Sequence, residues 1–187
     1  MKELFITEIR DLYDAEKQIV KTLPKVAKAA ESEQLTQALN NHLEETRNHV
    51  ARLEQIFGIV GETAKGKPCK GMKGLLEEGG EVIQEEDKGA LRDLALIAGC
   101  QKVEHYEVSA YGTIRTLAEQ LDMQDVVQLL QETENEETAA DEKLTGIAAA
   151  IMGSEEEGEN AEQEAELAEA GAARRPASGI HSKRKAS

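Results

Sequence analysis

The chain has 187 residues, 37 acidic against 22 basic side chains, and a formal net charge of −15. That length holds one domain with a real core, and that charge disfavours direct binding to nucleic acid or to an anionic membrane. Trp is absent and aromatic residues make up only 3%, while Ala, Leu, Glu and Gln abound, so the composition favours an all-α fold.

The first ten residues, MKELFITEIR, alternate charged and apolar side chains and contain no hydrophobic stretch. No run reaches membrane-spanning length, so neither a signal peptide nor a transmembrane segment is expected. Cys69 and Cys100 form no CxxC and no zinc spacing. Two unconnected thiols fit a reduced, cytoplasmic chain.

The first helical segment runs from about Lys2 to Ala30, with Pro24 expected to kink it or end its regular part. Glu31-Ser32-Glu33 reads as a turn, with Ser32 as the N-cap of a second helix from about Glu33 to Val60. Gly61 to Gly74 then breaks the pattern, and a short amphipathic piece follows from Leu75 to Glu86, weakened by Gly79-Gly80. A third long helix is expected from about Lys88 to Leu121, a turn at Asp122, and a fourth long helix from Met123 to Met152, ended by Gly153. Two tight helical hairpins joined by a long connection suit the bundle class with one crossover, the ferritin-like topology. Residues 1–152 are therefore read as a ferritin-like four-helix bundle whose crossover carries a short extra helix. Residues 153–187, Glu- and Ala-rich and then basic without an apolar stripe, are read as a disordered charged tail.

Carboxylates interrupt the apolar stripe of every long segment. Phe5, Ile9, Leu12, Glu16, Ile19, Leu23 and Val26 advance by alternating steps of four and three, with Glu16 at the centre. A lone buried carboxylate there costs several kcal/mol or takes up a proton; a shared cation removes the problem. In the second segment His42, Thr46 and His49 occupy the middle of the stripe, flanked by Glu45. In the third, Glu107 is central and Glu104 lies on the same side; in the fourth, Glu134, Glu137 and Asp141 interrupt an apolar face. At a rise of ~1.5 Å per residue, Glu16, Glu45, His49, Glu104, Glu107, Glu137 and Asp141 all lie about 20–28 Å from their turns, so the four clusters can converge at mid-bundle.

A faint repeat at an offset of 92 carries Glu45 onto Glu137, His49 onto Asp141 and His42 onto Glu134. Two similar hairpins would supply two half-sites of a dinuclear centre. Carboxylate-rich ligands with one or two imidazoles suit iron or manganese. The usual carboxylate-bridged pattern places Glu-x-x-His on two helices; here Glu45 and His49 are spaced by four, and the last helix offers Glu137 and Asp141 without a His. His42 can ligate, support a ligand or pack, Glu104 and Glu134 have the same standing, and Tyr106 and Tyr111 read as packing residues.

The strings LYDAEKQI (12–19), HLEET (42–46), QKVEHYE (101–107) and AYGTIRTLAEQL (110–121) resemble the YciE/YciF-like bacterial proteins, a ferritin-like, stress-linked group, over residues 1–150. The resemblance implies a homodimer and a rubrerythrin-like dinuclear metal site. On the matching positions it implies Glu16, Glu45, Glu104, Glu107 and Glu137, with His49 and Asp141 completing the sphere. Two iron ions per chain, or manganese, are the expected cofactors, and the expected chemistry is the handling of peroxide or oxygen under stress. Glu16 and Glu107 are expected as terminal ligands, Glu45 and Glu137 as bridges, and His49 and Asp141 as outer ligands. Without a CxxC pair to seat a rubredoxin-type iron, electrons are expected from an external donor or from Fe(II) itself. Metal sequestration without turnover, or a purely structural bundle, are the alternatives.

Overall fold

The computed structural model describes residues 1–85 and 88–173. Five helices follow in order: α1 (Lys2–Ala29), α2 (Glu33–Val60), α3 (Lys70–Glu85), α4 (Ala90–Gln120) and α5 (Gln124–Ala173), with no strand among the described residues. The fold is an all-α bundle of four long helices, with α3 carried on the crossover between α2 and α4.

Why the hairpins close is legible in their turns. The Ser32 side chain accepts a hydrogen bond from the Leu35 amide at 3.3 Å and caps α2. Gly61 ends α2 in the left-handed region at φ 73°, where a side chain is strained. Asp122 takes φ 55° between α4 and α5, a conformation that Asp tolerates better than most residues.

The α1–α2 turn is also held from outside. Asp93 of α4, buried, accepts from the Glu31 amide at 2.9 Å and the Ser32 amide at 2.7 Å, and Arg92 donates to the Ala29 carbonyl. Charged groups are thereby spent on backbone atoms that the turn leaves without intrahelical partners.

Two expected boundaries differ from the structure, and one expected break is absent. Pro24 lies inside α1, which runs on to Ala29 near its expected end, and does not end its regular part; burial of Leu23, Val26 and Ala27 outweighs the one missing N–H donor. Helix α3 begins at Lys70, not Leu75, and takes in Gly71 and Gly74. Its start is anchored by the Cys69 amide, which donates to Asp14 Oδ2 at 2.8 Å, and by Gln18 Nε2, which donates to the Cys69 carbonyl at 3.1 Å. At Gly71 a Cβ would stand 3.1 Å from the Tyr106 ring, so the glycine permits that contact. Finally, Gly153 does not stop α5, which continues to Ala173. One glycine costs a helix about 1 kcal/mol, and the Ala- and Glu-rich sequence on either side outweighs it.

The chain divides into two compact units, Met1–Ile151 and Met152–Ser187. The backbone of the second unit is helical through Ala173, where a disordered tail was expected; residues 174–187 of that expected tail, and the expected end of the short helix at Glu86, lie outside the described residues.

The core of the first unit follows the stripes. Phe5, Ile9, Leu12, Ile19, Leu35, Leu53, Ile56, Ile97, Ile114, Val126 and Leu130 are buried. Burying each such side chain stabilises the fold by about 1.5–3 kcal/mol. Within this apolar frame Glu16, His42, Thr46, His49, Glu104, Glu107, Thr133 and Glu137 are buried too. Cys69 and Cys100 are both free thiols.

Candidate metal centre

Each long helix sends side chains to one buried cluster. The α1 stripe brings Glu16, the α2 stripe His42 and His49, α4 brings Glu104 and Glu107, and α5 brings Glu137. Two overlapping triads result, Glu16–His49–Glu137 and His42–Glu104–Glu137, each with ligand-type atoms close enough to hold a metal ion.

Glu137 belongs to both triads, one oxygen to each. Its Oε1 lies 2.8 Å from Nδ1 of His49, and its Oε2 lies 3.8 Å from Nε2 of His42. Nδ1 of His49 is also 3.6 Å from Glu16 Oε1, and Nε2 of His42 is 3.4 Å from Glu104 Oε1. These atoms converge as ion-pair contacts that lack hydrogen-bond geometry. Glu16 Oε2, His42 Nε2, His49 Nδ1, Glu104 Oε2 and both oxygens of Glu107 and Glu137 have no hydrogen-bond partner among the described residues. Buried polar atoms are normally paired, and leaving one unpaired costs about 1–3 kcal/mol. Two donors bound to one ion at about 2.1 Å stand roughly 3 Å apart, against 2.8–3.8 Å between these atoms.

The outer nitrogen of each imidazole is held by a carboxylate at the margin. His49 Nε2 is 2.9 Å from Glu136 Oε2, and Arg52 grips the same carboxylate with two contacts of 2.8 and 3.3 Å. His42 Nδ1 is 3.4 Å from Glu45 Oε2. Tyr111, buried, donates a hydrogen bond to Glu16 Oε1.

Burial sets the electrostatics. It pushes the carboxyls of Glu16, Glu104 and Glu107 above the usual carboxylate range; for Glu104 and Glu107 the rise is large, and the charge of Glu137 adds to it. Burial also acts on Glu137, but the imidazoles of His49 and His42 outweigh it and hold that carboxyl low. Burial works against charge on the histidines, yet the surrounding carboxylates push His42 up to about 9 and His49 up to about 11. Burial raises the Tyr111 phenol well above its ordinary value.

Of the seven residues expected at the site, the structure brings Glu16, His49, Glu104 and Glu137 into the triads and buries Glu107 with them. Glu45 sits at the margin with its side chain 49% exposed, against His42. Asp141 is turned to Gln101 Nε2 at 3.0 Å and His105 Nε2 at 3.4 Å, away from both triads. His42, ambiguous in the sequence, is in a triad, whereas Glu134 pairs with Arg115 at 2.7 Å. The repeat at an offset of 92 therefore does not give two alike half-sites. Helix α2 supplies two imidazoles, and α5 supplies one carboxylate.

Glu136, Arg52 and Tyr111 were not singled out as supports. Tyr111 lies four residues beyond Glu107, and Arg52 three beyond His49, so helical spacing carried a signal for both. A cavity of about 250 Å³ reaches the cluster between α2, α4 and α5, lined among others by His42, Glu45, Glu104 and Glu136. Among the described residues no helix is long and apolar enough to cross a membrane.

Comparison with known proteins places the fold. YciF from Escherichia coli K12 is 46% identical over 149 residues, which cover 79% of this chain and 90% of that protein. The crystal structure of the E. coli stress protein YciF superposes with a TM-score of 0.79 at 44% identity, over 81% of this chain and 96% of that one. YcfI from Rhodopseudomonas palustris superposes with a TM-score of 0.76 at 41% identity, over 78% and 92%. A protein of Xanthomonas campestris shares the fold with a TM-score of 0.65 at 20% identity, over 84% and 97%. With residues 1–157 also matching the family described as Domain of unknown function (DUF892), the chain belongs to that family, and YciF is one of its relatives.

Proposed function

We propose that this chain is a stress-associated ferritin-like protein that holds two iron or manganese ions per chain and handles peroxide or oxygen. The observation that carries the reading is Glu137, whose two carboxylate oxygens face two different buried triads. A carboxylate so placed would be able to serve two ions, one from each oxygen. Four carboxylates and two imidazoles form a hard, oxygen-rich donor set that suits those metals.

The chain's own residues prepare the site. With its Nε2–H donated to Glu136, His49 presents the Nδ1 lone pair inward; with its Nδ1–H donated to Glu45, His42 presents Nε2. Tyr111 fixes one oxygen of Glu16 and leaves the other free. Glu107, with both oxygens unpartnered, completes the donor set. Asp141 and Glu45, both expected as ligands, act in this reading as a neighbour of Gln101 and as the anchor of His42. Bound iron or manganese supplies redox cycling and an attachment point for peroxide or oxygen. The protein excludes water around that point with the apolar stripes above and below it, and the acidic cavity beside Glu45 and Glu136 is the path for cations.

In this reading the protein works in the cytoplasm as a homodimer and takes electrons from an external donor. The stress association comes from the description of E. coli YciF as a stress protein. Elemental analysis of protein purified without added metal, repeated after anaerobic Fe(II) loading, tests the centre. About two metals per chain supports it, and metal-dependent peroxide consumption then separates turnover from sequestration. Absence of metal in both samples overturns it.

A further inference from the structure

A second cavity lies on the other side of Glu104 and differs in chemistry from the acidic one. It has a volume of about 350 Å³ and opens between α1, α3 and α4. Its walls are Ile19, Leu23, Val26, Leu76, Ile83 and Val103, with Glu104 shared between the two cavities. Ligand pockets begin at about this size and are mostly apolar with a few placed polar groups.

Two features suggest that the space is built for a ligand. Gly79, Gly80 and Gly99 line it, and a Cβ at any of them would meet nothing closer than 3.8 Å. A glycine pair inside a helix sacrifices backbone entropy, and no close contact here requires it. The room therefore comes from side chains that are missing. The second feature is charge. Lys21, Lys25 and Lys73 stand along the cavity in a chain of net charge −15. Lys73 pairs with Glu77 at 3.4 Å, while Lys21 and Lys25 form no ion pair among the described residues.

We propose that this cavity binds a free fatty carboxylate, with the acyl chain between α1, α3 and α4 and the head group at Lys21 and Lys25. The volume admits a chain of roughly ten carbons. The site stands whether or not the neighbouring cluster holds metal, so each can fail alone.

Calorimetric titration of the full-length, metal-free protein tests it with three amphiphiles of one chain length: decanoate, decanol and the decyltrimethylammonium ion. Decanoate is expected to bind one per chain and at least about tenfold more tightly than the cationic amphiphile. The double substitution Lys21→Gln/Lys25→Gln is expected to weaken decanoate several-fold and leave decanol unchanged. Gly80→Leu and Leu76→Trp each add bulk at the wall and are expected to abolish binding of both, with helicity checked by circular dichroism. Equal affinity for anionic and cationic amphiphiles overturns the proposal, as does undiminished binding in a correctly folded wall variant. Absence of decanoate binding also overturns it; a change of oligomeric state in the wall variants would then make the groove a contact for a second copy.

Discussion

Replacing Glu107 with Met should stabilise the metal-free protein and weaken its response to metal. Glu107 is wholly buried, neither carboxylate oxygen has a hydrogen-bond partner, and Glu16, Glu104 and Glu137 surround it. Met is close to Glu in length and volume and carries no charge. Replacing a buried, unpartnered polar group by an apolar one of similar shape removes a desolvation cost of roughly 1–3 kcal/mol, and we take about 2 kcal/mol here. For a chain of this size that corresponds to a rise of roughly 4–8 °C in melting temperature. Metal at a hundred times its dissociation constant stabilises the native chain by about 2.7 kcal/mol. With one donor gone, the substituted chain should gain less than half of that increment. The assay is thermal unfolding followed at the helical circular dichroism band, first with a chelator and then across an anaerobic Fe(II) titration. A metal-free variant less stable than the parent, together with an undiminished rise on metal addition, would refute both the electrostatic argument and the ligand role.

The metal-free protein should lose stability as pH rises from about 6.5 to 11. His42 and His49 titrate near 9 and 11 in the folded state, above their ordinary value, so their contribution is complete below about 6.5 and lost as pH passes through those values; His42→Gln should flatten the lower part of that decline in a melting series. Glu136→Ala frees the outer nitrogen of His49 and should lower metal affinity about 10- to 100-fold at unchanged stoichiometry, measured by competition with a chelator. Asp93→Asn weakens two charge-assisted hydrogen bonds at the α1–α2 turn and should cost about 1–3 kcal/mol in denaturant unfolding, with metal content unaffected.

Glu16 and Glu107 were legible because each stands alone in the middle of an apolar stripe, where a solvated role is excluded. His42 was not, since an imidazole on a stripe packs as readily as it ligates. Asp141 shared the spacing of Glu137, one helical turn on, but Gln101 and His105 of α4 compete for it. That competition depends on the pairing of α4 with α5, which local periodicity does not contain. Glu136 sits next to Glu137 and looks like an ordinary solvent-facing acid until α2 brings His49 and Arg52 against it. The ends of α3 and α5 eluded the sequence for another reason. Glycine marks a helix end only when its neighbours do not outvote it, and at Gly71, Gly74 and Gly153 they do.

The grip of Asp93 on the α1–α2 turn bears on how the chain becomes a bundle. The Glu31 and Ser32 amides and the Ala29 carbonyl find these partners only when α4 arrives from beyond the crossover. The first hairpin is thus unfinished as an isolated piece, and its tightest corner is completed by the second. Deuterium uptake at those two amides reports the docking of one half of the molecule on the other, separately from the melting of any helix. A fragment ending at Val60 would leave that corner open, which makes the cooperative unit the whole bundle and places its seam at a corner apart from the buried carboxylate and imidazole cluster.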